Sequence, residues 1–357
     1  MSLPSGTFQE SYAQDMAIIR TRTQWVFLVL ILVAVFTIPL YASNSLITLA
    51  IIIGITIISV QGLNILTGRC GQISMGHSGF MMVGAYASAI LCAKAGLPFW
   101  VSLPAAGIIA GLAGIIFGLP SLKIRGFYLV MATIGAYYII HWLILQFQTV
   151  TGGVNGLAIP KATIFGINLN TSYVQGDPLS ARYFYLVMII AVISVYLAKN
   201  IIRTRSGRAF VAIRDNDLAA EVMGVNLFSY KLQAFFIGCV FAGVAGALSA
   251  QYLRFANVDQ FPFMDSVWFL GMLIVGGQGS VVGVIFGVVA LKLLDQFAVL
   301  VGPSLVTAFH FKPTVGTGLS LILSGLIVIL FLIFEPHGIV HFWERIKSWY
   351  RLWPFSN

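Results

Sequence analysis

RTRSGRAFVAIRDNDLAAEVMGVNLFSY, residues 203–230, lies between two long apolar stretches and holds 7 of the 31 charged residues of the chain. The chain as a whole is 59% hydrophobic and 9% charged, whereas a soluble protein carries roughly a quarter of its residues as charges. So polar a segment in so apolar a chain must lie in water. The sequence therefore predicts a polytopic membrane protein in which residues 203–230 form a loop between two spans.

The apolar segments on either side of this loop have the length of membrane-spanning helices, because a bilayer core requires about 20 apolar residues in a helix. Ten segments qualify, and the one at 264–277 is short and ends in glycines. They lie near 26–42, 46–66, 74–93, 99–119, 127–147, 183–202, 232–252, 264–277, 280–300 and 316–334. This pattern predicts an all-α fold of about ten transmembrane helices. The chain then divides into a leading segment 1–25, a membrane domain 26–334 and a tail 335–357.

The basic residues indicate the orientation of these spans, since short loops rich in Lys and Arg stay on the cytoplasmic side. With both termini inside, 14 of the 20 basic residues fall on the cytoplasmic side and 5 outside. Residues 203–230, with four arginines, then lie in the cytoplasm.

The first span follows Arg20 and Arg22 as a signal peptide would, but the polar segment before it is long for a signal peptide and cleavage would leave an odd number of spans. We expect a retained first helix and a chain with both termini in the cytoplasm.

Composition also argues against several other functions. The net charge of +9 comes from residues at the ends of apolar segments rather than from one basic stripe, so membrane lipid and not nucleic acid is the expected contact. Cys70, Cys92 and Cys239 are far apart, which favours packed residues over a disulfide framework or a metal site. The sequence has no GxxxxGK[ST], HExxH or GxSxG motif and no paired membrane aspartates, so we expect no catalytic residue.

Part of the 203–230 loop has the signature of a short helix. Three residues that cap helices well, Asp215 to Asp217, precede the helix-favouring run Leu218 to Met223, which ends at Gly224. Leu218, Val222 and Val225 recur at helical spacing and predict one apolar edge. Such a helix could enter a groove of a partner, with Glu221 and Arg214 setting its register, or lie solvated on the membrane surface. The candidate docking residues are Arg214, Asp215, Asn216, Asp217, Leu218, Ala219, Ala220, Glu221, Val222 and Gly224.

Polar residues at the start of the third segment are candidates for lining a transport pathway. They bring hydroxyl, amide and imidazole groups to an otherwise apolar helix, beside glycines that permit close helix approach. The candidates are the polar residues Gln72, Ser74, His77 and Ser78, together with the aromatic Phe80. The alternative is that the polar groups bond to neighbouring helices. Lys292 and Asp295, at i, i+3 spacing in the ninth segment, form either a functional pair of charges or a self-neutralised structural ion pair.

An internal echo suggests a repeat. Residues 114–123 and 283–292 share the pattern GxIFGxxxLK and lie on the fourth and ninth segments, which run in opposite directions. Segments 2–5 and 7–10 would then form an inverted repeat of the kind found in transporters. A chance match in glycine-rich apolar sequence is the alternative.

Several of these stretches together resemble one family. SGRAFVAIRDNDLAAEVMGVN (206–226) is similar to the cytoplasmic loop of the permeases of branched-chain amino-acid ABC importers, the LivH/LivM type, and more similar to LivM. Further matches are GQISMGH (71–77) with GAY (84–86), KIRGFY (123–128) with Thr133, TGGVNGL (151–157), LIVGGQG (273–279) and FEPHG (334–338). The last has His337 where Arg is common in the family.

The resemblance implies a type II-like importer fold and a coupling helix within 203–230. It also implies three kinds of partner besides the membrane lipid expected from composition: a second, LivH-like permease subunit, two ATP-binding subunits that hold ATP and Mg, and an extracytoplasmic solute-binding protein. This chain would bind no cofactor. Branched-chain or other hydrophobic amino acids are the expected substrates, and urea, short-chain amides or small carboxylates are alternatives. From the residues alone, an ion-coupled secondary transporter is the competing class, although Asp295 is its one good mid-span carboxylate.

Overall fold

The computed structural model describes residues 22–121, 127–161, 163–164, 167–168 and 179–308, together with 322, 325–326, 329, 333 and 338–340. Its long helices coincide with the apolar segments, since a bilayer leaves helices as the way for such segments to satisfy their backbone. The long helices are α1 (Arg22–Tyr41), α2 (Asn44–Leu63), α3 (His77–Ala93), α4 (Phe99–Ser121), α5 (Phe127–Gln146), α7 (Leu179–Arg203), α10 (Leu227–Leu253), α11 (Phe263–Gly276) and α12 (Val281–Ala308).

Shorter elements connect these helices. They are a π-helix (Asn64–Arg69) that continues α2, the helices α6 (Gln148–Thr151), α8 (Arg205–Asp215) and α9 (Asp217–Val222), the 3₁₀ turns Gly153–Asn155 and Val258–Gln260, and the strands β1 (Leu157–Ala158), β2 (Thr163–Ile164), β3 (Ile167–Asn168) and β4 (Phe255–Ala256). β2 pairs antiparallel with β3, and β1 pairs antiparallel with β4.

The prediction of a polytopic helical membrane protein is confirmed. Within the described residues, seven helices are long and apolar enough to cross a membrane, and the apolar stretches Leu28–Tyr41 and His77–Ala93 are shorter. The first nine predicted spans each correspond to a long helix. The tenth, 316–334, falls almost wholly outside the described residues, as do the leading segment 1–21, most of the tail, His337 and residues 123–126.

The helix α10 lies at the centre of the fold and packs against α2, α3 and α4. Small residues make this packing close: a Cβ on Gly84 of α3 would lie 2.3 Å from Gly243 Cα of α10, and one on Gly246 would lie 1.9 Å from the Met81 carbonyl oxygen. These helices therefore touch through their backbones, as is common between membrane helices.

A second close contact joins α11 and α12, which form a hairpin. A Cβ on Gly287 would meet the Met272 carbonyl oxygen at 2.2 Å, and one on Gly276 would meet the Gly283 carbonyl oxygen at the same distance. α2 packs against both helices of this hairpin, just as α10 packs against α3 and α4. This reciprocal packing is what an inverted repeat of segments 2–5 and 7–10 predicts.

The loops segregate to two ends of the bundle, which fixes the relative sidedness of the spans. At one end, which we call the arginine-rich end, the π-helix, the α8–α9 segment and the turn at 277–280 come together. At the opposite end, β1 pairs with β4, with Leu157 opposite Ala256 and Ala158 opposite Phe255. Alternating spans require this separation, so the structure agrees with the predicted succession of crossings.

Candidate functional site

The helix α9 begins at one of the three capping residues that its sequence offers. The Asn216 side-chain oxygen accepts a hydrogen bond from the Ala219 backbone N–H at 3.0 Å, which satisfies one of the free donors of the first turn. α9 ends at Val222, and Gly224 follows with φ +86°, a left-handed conformation that favours glycine. The helix predicted within the polar loop is therefore present, with Asn216 as its cap.

Large apolar side chains of α9 point away from the protein. Leu218 is 60% exposed, Val222 87% and Met223 84%, although this segment is the most polar part of the chain. Ala219 and Glu221 are also exposed, whereas Ala220 is buried. Val225 departs from the prediction: it packs against the core, because the helix ends before it and Gly224 turns the chain. The exposed apolar edge therefore consists of Leu218, Val222 and Met223.

Ion pairs hold the segment around α9. The Arg214 guanidinium contacts the Asp215 carboxylate at 3.0 Å, and the Lys231 ammonium contacts the Asp217 carboxylate at 3.5 Å. Lys231 belongs to α10, so the second pair ties the start of α9 to the central helix. Both pairs are partly exposed, and pairs of this kind contribute little to stability. The pair between Lys231 and Asp217 is the one that links α9 to another helix.

Arg214 also connects the segment to the π-helix. Its Nη1 donates a hydrogen bond to the Gly68 carbonyl oxygen at 3.0 Å, and its side chain packs on Gly71. The Asn64 side-chain oxygen in turn accepts a hydrogen bond from the Gly279 N–H at 2.8 Å. We call Asn64, Gly68, Gly71, Arg214 and Gly279 the junction. It brings three loops of the arginine-rich end into one contact.

Sequence reasoning singled out Arg214 but missed Asn64 and Gly68. The signal that could have located Asn64 and Gly68 is the pair of glycine-rich stretches at 71–76 and 276–279. Glycines there let the backbone approach other groups closely. The π-helical geometry of residues 64–69 is also informative, since π-helical turns are frequent at functional sites.

The five pathway candidates are buried and bonded mainly to neighbouring helices. His77 Nε2 lies 2.9 Å from the Ser59 carbonyl oxygen of α2, and the Ser78 hydroxyl lies 2.7 Å from the Ser266 hydroxyl of α11. Phe80 packs edge-on against Phe235. These contacts favour the alternative that the polar groups join helices.

Gln72 and Ser74 differ from the other candidates. Both are buried, and among the described residues the Gln72 side-chain oxygen and the Ser74 hydroxyl have no hydrogen-bond partner. Gln72 is held by its backbone, since its carbonyl oxygen accepts from the Thr67 hydroxyl at 2.9 Å. Unpaired buried polar groups are costly, so these two side chains remain candidates for a contact that forms in another conformation.

A cavity of about 390 Å³ lies elsewhere, among α2, α10, α11 and α12, and none of the five pathway candidates lines it. We call it the mixed-charge cavity, because the carboxylates of Asp265 and Asp295 and the ammonium of Lys292 border it. Its lining residues are Ile52, Ile55, Thr56, Met81, Ser249, Tyr252, Leu253, Gln260, Phe261, Asp265, Trp268, Phe269, Met272, Leu291, Lys292, Leu294 and Asp295.

The predicted ion pair between Lys292 and Asp295 is not formed: the ion pairs of the described residues include neither side chain. Lys292 instead interacts electrostatically with Asp265 of α11. The i, i+3 spacing allowed a pair on one helix face, but Lys292 is half-buried toward α11 whereas Asp295 is exposed. The described residues also contain no group of three or more His, Cys, Asp or Glu side chains that could hold a metal ion.

Comparison with known proteins decides the family. Residues 45–332 match the family described as branched-chain amino acid transport system / permease component. The chain belongs to this family. It is thus a multi-pass permease subunit of an ABC transporter, a transport component and not an enzyme. No solved structure matches the chain.

Individual relatives of the family agree with this assignment. The chain is 33% identical to the high-affinity branched-chain amino acid transport system permease protein LivM of Escherichia coli, over 90% of this chain and 76% of the relative. It is 25% identical to a probable LivM of Methanocaldococcus jannaschii, over 66% of each chain. It is 23% identical to the probable LivH of the same organism, over 85% of this chain and 91% of the relative. The likeness to both LivM and LivH indicates a second permease partner.

Proposed function

We propose that this permease imports branched-chain amino acids in an ATP-driven complex. The proposed complex contains this chain, a LivH-like permease subunit, two ATP-binding subunits that hold ATP and Mg, and an extracytoplasmic solute-binding protein. The substrate proposal draws on relatives named for branched-chain amino acid transport. Since the sequence of this chain contains no GxxxxGK[ST] phosphate loop, nucleotide chemistry belongs to the partner subunits.

The observation that carries the coupling proposal is the exposed apolar edge of α9. Three large apolar side chains in water, on a helix capped by Asn216, favour insertion into a groove of another protein. We assign that groove to an ATP-binding subunit. The arginine-rich end is then cytoplasmic, as are both termini, and the opposite end, with β1 and β4, faces the solute-binding protein.

The junction supplies a route from α9 into the membrane. Movement of an ATP-binding subunit displaces α9, Arg214 transmits the displacement to the π-helix through Gly68, and Asn64 passes it to Gly279 at the α11–α12 turn. Closure of the ATP-binding subunits would thereby shift an existing balance between outward-open and inward-open arrangements.

Reconstitution tests the proposal. The four-component transporter with its solute-binding protein, in proteoliposomes, should accumulate leucine only when ATP is supplied. Uptake by this chain alone, driven by a proton or sodium gradient, would instead identify an ion-coupled transporter and contradict the proposal.

Glu221→Lys tests the docking surface within the same system. The substitution reverses the charge of an exposed side chain on α9, so the permease should remain folded in the membrane while substrate-stimulated ATP hydrolysis or assembly decreases. Arg205→Glu, a charge reversal at another exposed residue outside α9, is the control. Unchanged coupling in Glu221→Lys would count against α9 as the docking helix.

A further inference from the structure

The mixed-charge cavity has the size of a site for a small molecule. Its volume of about 390 Å³ falls near the lower end of the range of about 300–1,000 Å³ in which small-molecule sites lie. One wall is apolar, with Ile55 of α2, Met81 of α3 and Leu291 of α12, and Trp268 and Phe269 of α11 add aromatic rings. An aliphatic side chain is the chemical group that such a wall accommodates.

The cavity also carries charges of both signs. Asp265 lies in the first turn of α11, and Lys292 and Asp295 lie one turn apart on α12. Ionisable residues within membrane helices are costly and usually mark a binding site or an ion pair. Within the described residues none of the three takes part in an ion pair. Asp265 and Lys292 attract each other without a contact ion pair, so a ligand that lies between them can contact both charges.

This arrangement discriminates between classes of ligand. An inorganic cation would use the two carboxylates but leave Lys292 and the apolar wall without a partner, and an anionic lipid headgroup would use Lys292 but leave both carboxylates unpaired. A molecule with one positive and one negative group close together, attached to an aliphatic chain, matches both charges and the apolar wall. A free aliphatic amino acid has this chemistry.

The position of the cavity fits a solute that enters from the end opposite the coupling surface. Ile52 and Thr56 follow the start of α2 by 8 and 12 residues, which places them about 12–18 Å along the helix at 1.5 Å per residue. Ser249 and Tyr252 lie in the last turns of α10, next to β4. The cavity thus reaches from the middle of the bundle toward the end away from α9.

We propose that the mixed-charge cavity binds one free amino acid with an aliphatic side chain during transport. The substrate carboxylate contacts Lys292, the substrate ammonium contacts Asp265 and Asp295, and the aliphatic chain lies against the apolar wall. This inference rests on the proposed function and adds to it a binding site within the permease chain itself.

Cysteine protection tests the site directly. Ser249→Cys places a thiol in the cavity lining of the reconstituted complex, whose own Cys70, Cys92 and Cys239 in this chain are buried. Leucine at ten times its dissociation constant should slow modification by a methanethiosulfonate reagent about tenfold, because about one site in eleven stays empty. Isocaproate, which lacks the ammonium, and leucinamide, which lacks the carboxylate, should protect far less.

Two controls isolate the cavity and its charges. In the complex assembled without its solute-binding protein, Asn155→Cys, in an exposed turn at the same end of the bundle, should react at one rate with and without leucine. Lys292→Gln and Asp265→Asn should abolish protection of Ser249→Cys, whereas Lys292→Arg should restore much of it. Asp259→Asn removes an exposed carboxylate that does not line the cavity, and it should leave protection unchanged.

The outcomes separate this inference from the proposed function. If the unmodified complex imports leucine but no concentration of leucine protects Ser249→Cys, the cavity is not the site and the inference is overturned. Equal protection by isocaproate and leucine would show that the substrate ammonium is not needed and would overturn the proposed role of Asp265 and Asp295. If the complex imports no leucine at all, the proposed substrate is wrong, and that result is obtained independently of the protection data.

Discussion

At the scale of single residues, Arg214 connects more of the structure than any charge count indicates. One side chain bonds to Gly68, pairs with Asp215 and packs on Gly71. A hydrogen bond to a charged group contributes about 1.5–3 kcal/mol, and partial exposure places this one at the lower end. The contact is thus strong enough to transmit a displacement between α8 and the π-helix.

Removing the guanidinium of Arg214 tests whether this contact transmits coupling. Arg214→Gln should leave the complex assembled but lower the number of leucine molecules imported per ATP hydrolysed by about tenfold, the factor that corresponds to about 1.4 kcal/mol. Parallel measurements of uptake and phosphate release in proteoliposomes give the ratio. Arg205→Gln, which removes an exposed arginine of the same helix, should keep the ratio of the unmodified complex. A normal ratio in Arg214→Gln would show that the junction does not transmit coupling.

Residues near in sequence were predictable, whereas their distant partners were not. Asn216 was identifiable as a cap because its bond reaches only three residues along the chain. The partners of His77 and Ser78, Ser59 and Ser266, lie 18 and 188 positions away, and no periodicity specifies such pairs. Lys292 shows the resulting error. Its spacing in the sequence predicts an ion pair with Asp295, whereas in the structure Lys292 interacts with Asp265 of α11.

At the scale of elements, α9 depends on its cap because six residues are too few for a helix that is stable by itself. Asn216→Ala should destabilise α9 by about 1 kcal/mol and decrease ATP-dependent uptake while membrane insertion stays normal. Hydrogen exchange of the amides of residues 217–223 measures the fraying. Asn216→Ser keeps a capping oxygen and should behave as the unmodified protein, so equal exchange in the alanine and serine variants would contradict the assigned role.

The close contact between α3 and α10 should not tolerate an added methyl group. Gly84→Ala forces a methyl group into the Gly243 backbone and should destabilise the protein by about 1–3 kcal/mol, the usual cost of overpacking. Gly135→Ala is the matched control, because a Cβ there meets nothing within 4 Å and alanine favours a helix. Thermal unfolding of the two variants in one detergent should give a lower midpoint for Gly84→Ala only.

Element positions followed well from hydropathy, since each long described helix coincides with an apolar segment. The exceptions are instructive. In the sequence, residues 64–69 look like an ordinary continuation of α2. The contact that distinguishes the π-helix is the hydrogen bond from the Gly279 N–H to Asn64, and Gly279 lies in the other half of the chain, where local sequence patterns do not reach. The inward turn of Val225 was missed because helical spacing was extended past the end of α9.

At the scale of the whole molecule, the segregation of loops predicts which positions share a side of the membrane. Asn155 and Gln278 are both exposed and lie at opposite ends of the bundle. In right-side-out vesicles a membrane-impermeant maleimide should label Asn155→Cys and not Gln278→Cys, and in inside-out vesicles the pattern should reverse. The reverse pattern in right-side-out vesicles would invert the proposed orientation, and labelling of both positions from one side would contradict the succession of spans.

The central place of α10 has a consequence for how the chain is made. Gly84 and Gly243 touch in the finished protein but are 159 positions apart in the sequence. At about 5–20 residues per second, a ribosome needs roughly 8–30 seconds to synthesise the chain between them. During that time α3, with His77 and Ser78 at its start, is in the membrane without the helix that covers its glycine face. We therefore expect the half-built bundle to need shielding, by the insertion machinery or a membrane chaperone, until α10 is synthesised.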